Sequence, residues 1–276
     1  LSLSWGLLRL INLAHFGLAF LAAYLCYQLS LAHVDPLLSL VLIVPLLFAI
    51  GAGLHWVMAR FRVTPFNSLL LTFGLTGILE ALIQAIWTAD FRKLEWAHGG
   101  VKWKVAGLYF PLPELITFLL AIAISFAIWA VLRYTDLGKA LRAAAEDPDV
   151  AAAFGVDQKR NALLLAGTCS ALAGVAGVCL ALGFTLAPAQ IYAWVGVVFA
   201  AVMLGGLGSA LGPLIAGIVI GHATLPVVNQ GDAMFHIAEV ANLDHAGEAI
   251  ETITDAILAS EPAGPAQPLL DEDEVL

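Results

Sequence analysis

The sequence is poor in charged residues. Asp, Glu, Lys and Arg make up 12% of its 276 residues, against about 25% in an average soluble domain. Hydrophobic residues make up 61%, and no charged residue occurs from position 161 to 231. Because this composition leaves too little polar surface to cover a globule in water, we predict an all-α protein of the lipid bilayer, a polytopic transmembrane helical bundle.

Cysteine is also scarce, and basic residues are absent from the second part of the chain. Cys26, Cys169 and Cys179 each lie in an apolar run, which argues against a disulfide framework. All twelve Lys and Arg occur at or before Arg160, while eleven of the 21 acids lie beyond position 231. This pattern offers no basic patch for nucleic acid. We predict a transmembrane domain over residues 1–225 and an acidic, amphipathic or disordered tail over 226–276.

Long apolar runs define the predicted spans, since a spanning helix needs about 20 such residues. The run at 191–225 is long enough for two helices but is interrupted by five residues of sequence GGLGS. We interpret it as a helical pair in which one arm can be short or re-entrant. The remaining predicted spans are 10–32, 37–59, 66–88, 112–132 and 161–187.

Loop charge predicts the orientation, because Lys and Arg are enriched in cytoplasmic loops. Loop 133–160 carries five of these residues and is assigned to the cytoplasm. The alternation of spans then puts 60–65 on the same side and 33–36 outside. Loop 89–111 is also assigned outside, against its own four Lys and Arg.

The cytoplasmic loop 133–160 is too long for a tight turn and is rich in Ala, which favours helix. An Asp-Pro-Asp sequence at 147–149 suits a helix start, and Gly155 suits its end. We therefore predict a short helix over 149–154 that lies parallel to the membrane and that a soluble motor subunit could bind. An ordinary amphipathic connector is the alternative.

Three stretches in order resemble the branched-chain amino acid permeases of ABC importers. Residues 134–156 (YTDLGKALRAAAEDPDVAAAFGV) resemble the family's coupling segment. Residues 8–15 (LRLINLAH) and 204–213 (LGGLGSALGP) resemble its Arg-x-Ile-Asn-x-Ala-His and Gly-Gly-x-Gly-Ser signatures. Residues 72–75 (TFGL) and Arg92 occur at similar family positions. The resemblance covers about residues 1–225.

The resemblance implies the translocation subunit of an importer in the bacterial inner membrane, moving branched-chain amino acids or related small solutes such as amides or urea. It implies a second permease subunit, two cytoplasmic ATPases and a periplasmic solute-binding protein as partners. The chain has no G-x-x-x-x-G-K-[ST] sequence, so ATP hydrolysis is assigned to another chain, and neither cofactor nor metal is predicted. The residues implied to contact the ATPase are Arg142, Glu146, Asp147, Ala151 and Gly155.

Polar residues within the spans are candidates for the translocation path or a helix seam. Asn12 and His15 are predicted to share a helix face, either lining the path or bonding a neighbouring helix. Glu80 is either functional or a structural hydrogen-bonding residue paired with Gln84. The glycine run either opens a helix next to a cavity or allows close packing; its members singled out are Gly205, Gly206, Gly208 and Ser209.

Two rival functions and some departures from the family stay open. One rival is an ion-coupled secondary transporter that uses Glu80, and the other is a truncated, non-transporting membrane protein. Phe16 and Gly17 stand where the family often has Gly and an acid. This departure puts in doubt whether the chain shares the family's choice of solute. We also expect the family's first helix to be cut off before Leu1 and its last span to be replaced by the acidic tail.

Overall fold

The computed structural model describes residues 1–8, 10–61, 63–96, 102–105 and 108–229, with side chains left out at 102–105, 108–110 and 222–229. The chain forms two compact units, Leu1–Ile218 and Val219–Leu276. All packing reported below lies within the first unit. Most of the predicted acidic tail falls outside the described residues.

The described part of the chain is a helical bundle, as predicted. Six of its helical segments are long and apolar enough to cross a membrane, at Ala14–Leu31, Pro36–Arg60, Pro65–Trp87, Leu112–Tyr134, Gln158–Gly183 and Pro188–Gly205. Its helices are α1 (Ser2–Leu8), α2 (Ala14–Leu31), α3 (Pro36–Arg60), α4 (Pro65–Trp87), α5 (Leu112–Tyr134), α6 (Asp136–Glu146), α7 (Pro148–Ala153), α8 (Gln158–Gly183), α9 (Ile191–Gly205) and α10 (Gly212–Asn229). A short antiparallel hairpin, β1 (Lys102–Val105) and β2 (Leu108–Pro111), precedes α5.

Local sequence explains where the spanning helices begin. The Asp35 carboxylate accepts a hydrogen bond from Leu37 N at 2.8 Å, and Pro36 occupies the first turn of α3. At the start of α4, the Thr64 side chain accepts a hydrogen bond from Asn67 N, and Pro65 occupies the first turn. A side-chain acceptor followed by Pro is a favoured helix start, because the cap satisfies a free N–H and Pro has none to satisfy.

Helix α8 occupies the centre of the bundle and packs closely through glycines. A Cβ added to Gly177 would lie 2.0 Å from the Ala19 carbonyl oxygen of α2. A Cβ added to Gly51 of α3 would lie 2.0 Å from Ser170 Oγ of α8. Small residues let helix backbones approach in membranes, where packing rather than water exclusion holds helices together.

Helix α2 is enclosed by its neighbours and supplies much of the core. Phe20 and Tyr24 are 2% and 0% exposed, and the Tyr24 ring packs on Trp87 at 5.5 Å between centroids. Trp87 Nε1 in turn donates to Gln28 Oε1 at 3.0 Å, which pairs the indole N–H with the Gln28 side chain of α2.

Three loops meet at one end of the bundle. Trp96 Nε1 donates to Asp35 Oδ2 at 3.3 Å, and Arg92 forms an antiparallel bridge with Leu186. The loops after α2, α4 and α8 therefore share this end. Helix α5 leads away from it for 23 residues, about 35 Å at 1.5 Å per residue. Helices α6 and α7 consequently follow at the opposite end.

Candidate functional site: two helix breaks and a coupling segment

A first break, which contains residues 10–13, lies between α1 and α2. Asn12 Oδ1 accepts a hydrogen bond from Ala14 N at 3.0 Å, and Asn12 O lies 2.7 Å from His15 Nδ1. Asn12 thus precedes α2, and the prediction that it shares a helix face with His15 is wrong. The physical reason is that a short Asn side chain competes for nearby backbone N–H groups and so favours helix starts over helix interiors.

A row of hydroxyl groups on α4 forms hydrogen bonds with backbone N–H and C=O groups of the first break. Ser68, Thr72 and Thr76 are spaced four residues apart and are 0–2% exposed. Thr72 Oγ1 accepts from Leu13 N at 3.1 Å, and Thr76 Oγ1 donates to Leu13 O at 3.1 Å. Irregular backbone at membrane depth is tolerated only where protein or water supplies its hydrogen bonds. The hydroxyl row is therefore what permits a break at this place.

Sequence reasoning missed this row, although a signal was present. Three hydroxyl residues at four-residue intervals in an otherwise apolar span mark one polar face of a helix. The same face carries part of the 72–75 segment that resembles the family.

Thr72→Val is expected to destabilise the folded protein by about 1–3 kcal/mol, because the near-isosteric change leaves Leu13 N without its acceptor. Thermal unfolding of the purified protein in nanodiscs measures the effect. Thr168→Val is the matched control, since Thr168 is exposed on α8 and bonds Leu164 O of its own helix. Equal losses for the two variants would contradict a special role for the hydroxyl row.

A second break, residues 206–211, separates α9 from α10. Gly206 and Gly208 have φ values of +84° and +81°, a region that glycine enters without steric cost. Ser209 Oγ accepts from Gly212 N at 2.9 Å and so caps α10. The run therefore forms a helical pair with an irregular turn, as predicted.

Close packing accompanies this break. A Cβ on Gly205 would lie 2.3 Å from the carbonyl carbon of Gly212, so the two helix ends approach through bare backbone. This close approach supports the interpretation as small-residue packing, while the interpretation as an opened helix next to a cavity stays a prediction.

Glu80 has the predicted partner. Gln84 Nε2 donates to Glu80 Oε1 at 3.2 Å, one helical turn along α4. Tyr192 of α9 also interacts with the Glu80 carboxylate and packs on Phe73 at 6.0 Å between ring centroids. Phe73, on the same face of α4 as Glu80, is 53% exposed, so this face is only partly covered in the single chain.

The stretch that resembles the family's coupling segment, called the coupling segment from here on, consists of α6 and α7. Asp147 Oδ1 accepts from Asp149 N at 3.0 Å and Val150 N at 3.1 Å, which starts α7 at Pro148. Gly155 follows the end of α7 with φ +85°. The short helix predicted over 149–154 is thus present, one residue earlier than expected.

Exposure in the coupling segment differs from expectation at one residue. Arg142, Glu146, Asp147 and Gly155 are exposed, but Ala151 is only 3% exposed and faces its own chain. Ala151 is therefore an anchor of α7, and the structure corrects its assignment as an ATPase contact. The apolar surface lies elsewhere, at Val150 and Phe154, which are 51% and 85% exposed. The sequence signal for the exposure of Phe154 was its position next to Gly155, the glycine that follows the end of α7.

Within the described ranges, His, Cys, Asp and Glu form no group of three that could hold a metal ion.

Comparison with known proteins identifies relatives. Residues 1–242 match the family described as branched-chain amino acid transport system / permease component. The high-affinity branched-chain amino acid transport system permease protein LivH of Escherichia coli (strain K12) is 36% identical over 110 residues, 40% of this chain and 34% of that protein. The LivH protein of Salmonella typhimurium matches to the same extent.

An archaeal relative matches over a longer stretch. The probable branched-chain amino acid transport permease protein LivH of Methanocaldococcus jannaschii is 29% identical over 230 residues, 76% of this chain and 69% of that protein. The chain spans about a third of the length of the two enterobacterial relatives, whose matches cover 34% of each. No solved structure matches significantly.

Proposed function

The chain belongs to the branched-chain amino acid transport permease family, and from this premise we propose that it is the translocation subunit of an ABC importer. The proposed solutes are branched-chain amino acids or related small molecules such as amides and urea. With its six membrane-length helices it is a multi-pass protein of the inner membrane. Proposed partners are a second permease subunit, two cytoplasmic ATPases and a periplasmic solute-binding protein.

The observation that carries the proposal is the coupling segment. Helix α7 is fixed at its start by the Asp147 cap and at its end by the Gly155 turn, and it leaves Phe154 exposed. A rigid short helix with one exposed aromatic residue and acids beside it suits insertion into a groove of a soluble ATPase. Closure of the ATPase pair on nucleotide would push this helix and, through it, the spans.

The partly covered face of α4 and α9 supports a path or a subunit seam. Glu80, Gln84 and Tyr192 place polar groups within a membrane span, and Phe73 on the same face of α4 is 53% exposed. Polar residues in spans generally face protein or water rather than lipid. We propose that this face, with the two helix breaks and with Asn12 and His15, borders the route of the solute between two permease subunits.

Uptake of labelled leucine into proteoliposomes tests the function, with ATPases and binding protein supplied from the same genome. ATP inside the vesicles and binding protein outside are each expected to be required, while ionophores that collapse ion gradients leave uptake unchanged. Glu80→Gln is expected to retain at least about half of this uptake, because Gln keeps the hydrogen bonds to Gln84 and Tyr192. Uptake without ATPases that ionophores and Glu80→Gln both abolish would establish an ion-coupled transporter instead.

A further inference from the structure

Helix α1 lies between the coupling segment and both helix breaks. Although it has only seven residues, it contacts α6 on one side, the second break on another, and the first break through its own continuation. The sequence motifs did not predict that α1 contacts the coupling segment and both breaks.

The contact with α6 is apolar. Leu3 of α1, Leu141 of α6, and Leu165 and Cys169 of α8 form a buried cluster, with their side chains 4–9% exposed. Leu141 is one of two buried residues on α6, the other being Gly138, which packs on the backbone of Leu132. Helix α6 is therefore joined to α1 through Leu141, within a cluster that also includes residues of α5 and α8.

The contact with the second break is made by backbone and a single hydroxyl. Gly208 N lies 3.1 Å from both Ser2 O and Ser2 Oγ, which share its hydrogen. Ser2 Oγ lies 3.0 Å from Gly206 O and 3.2 Å from Ser209 O and donates its one hydrogen to either of them. A Cβ on Gly6 would lie 2.1 Å from Gly208 Cα, so no side chain separates the two backbones.

The contact with the first break joins residues that lie close together in the sequence. Ser4 Oγ donates to Leu10 O at 3.2 Å, which ties α1 to the segment that the hydroxyl row of α4 holds. Helix α1 thus reaches the first break directly and the second through Ser2 and Gly6.

We propose that α1 transmits movement of the coupling segment to the second break, with Ser2 and Gly6 as positioning residues. The physical reason is stiffness: closely packed buried side chains, and backbones in contact and joined by hydrogen bonds, have little room to rearrange, so the elements they join move together. When the ATPases displace α6, the Leu141 cluster carries α1 with it, and α1 shifts the turn at residues 206–209. The proposal rests on the proposed function, because it requires ATPases that act on α6 and α7.

The test is the coupling ratio, the number of leucine molecules transported per ATP hydrolysed, in proteoliposomes that contain the complete transporter. Gly6→Ala is expected to lower this ratio about tenfold, because the added methyl group drives α1 away from Gly208. Ser2→Ala is expected to lower it about threefold. In both variants ATP hydrolysis continues at the wild-type rate. Gly53→Ala on α3 is the matched control, since its Cβ meets no atom within 4 Å.

A purely structural role for α1 predicts a different outcome. Transport and ATP hydrolysis would then fall together, in proportion to the amount of folded complex seen by size-exclusion chromatography, and an unchanged ratio would overturn the proposal. If Gly6→Ala does not assemble, Ser2→Ala decides, because it removes one hydroxyl and adds no atoms. A wild-type protein without ATP-driven uptake would reject the proposed function itself, whereas a working wild type with unchanged ratios in the variants would reject only the role of α1.

Discussion

Phe154→Asp is expected to abolish co-purification of the ATPase and with it ATP-driven uptake. Phe154 is 85% exposed beside the coupling helix, so the folded bundle loses nothing from its own packing. A central aromatic residue of an interface commonly contributes about 2 kcal/mol or more to binding, and an acid in its place must also be desolvated without a partner. Affinity purification of the tagged permease, followed by quantification of bound ATPase, measures the effect.

Phe91→Asp is the matched control for this change. Phe91 is 74% exposed, in the loop after α4 at the opposite end of the bundle, where no cytoplasmic ATPase would reach it. It is expected to leave ATPase binding unchanged. Equal loss in both variants, or normal binding in Phe154→Asp, would show that α7 is not the docking element.

Gly177→Val is expected to prevent accumulation of folded protein. The first added carbon would lie 2.0 Å from the Ala19 carbonyl oxygen and 2.8 Å from the Ala22 methyl group. Since neither is a flexible side chain, α2 and α8 must separate, and overpacking of this kind costs about 1–3 kcal/mol or more. Fluorescence-detected size-exclusion chromatography of detergent extracts reports the amount of folded protein.

Gly183→Val tests the same change on the same helix at a site with no atom within 4 Å. We expect wild-type amounts of folded protein from it. If Gly177→Val accumulated to the level of Gly183→Val, the close approach of α2 and α8 would not be a feature of the folded protein.

Local signals were sufficient for the spans and for the coupling helix. Long apolar runs produce spanning helices because the bilayer leaves the backbone no other way to satisfy its hydrogen bonds. The start of α7 was predictable because Asp147, Pro148 and Gly155 act on backbone within a few residues of themselves. Glu80 and Gln84 also met as expected, since four-residue spacing places two side chains together on any helix.

Predictions about which side of an element faces the protein were less secure. Ala151 was placed at a partner surface and is buried, while the neighbouring Phe154 is exposed. The face that a six-residue helix turns inward depends on what it packs against, and the sequence of the helix does not contain that information. The prediction that Asn12 lies on the helix was wrong for a different reason, because its side chain accepts a hydrogen bond from Ala14 N in a turn that precedes α2.

The sequence by itself determined that the chain is a helical membrane protein, which family it resembles, and where the segment that resembles the family's coupling segment lies. These follow from composition and from motifs that act within one turn. Only the tertiary structure decided that α4 supplies the hydroxyls for the first break, and that α1 joins the coupling segment to both breaks. Such contacts link residues as far apart as Ser2 and Gly208, and packing in lipid selects them by shape and by hydrogen bonds that no local pattern records.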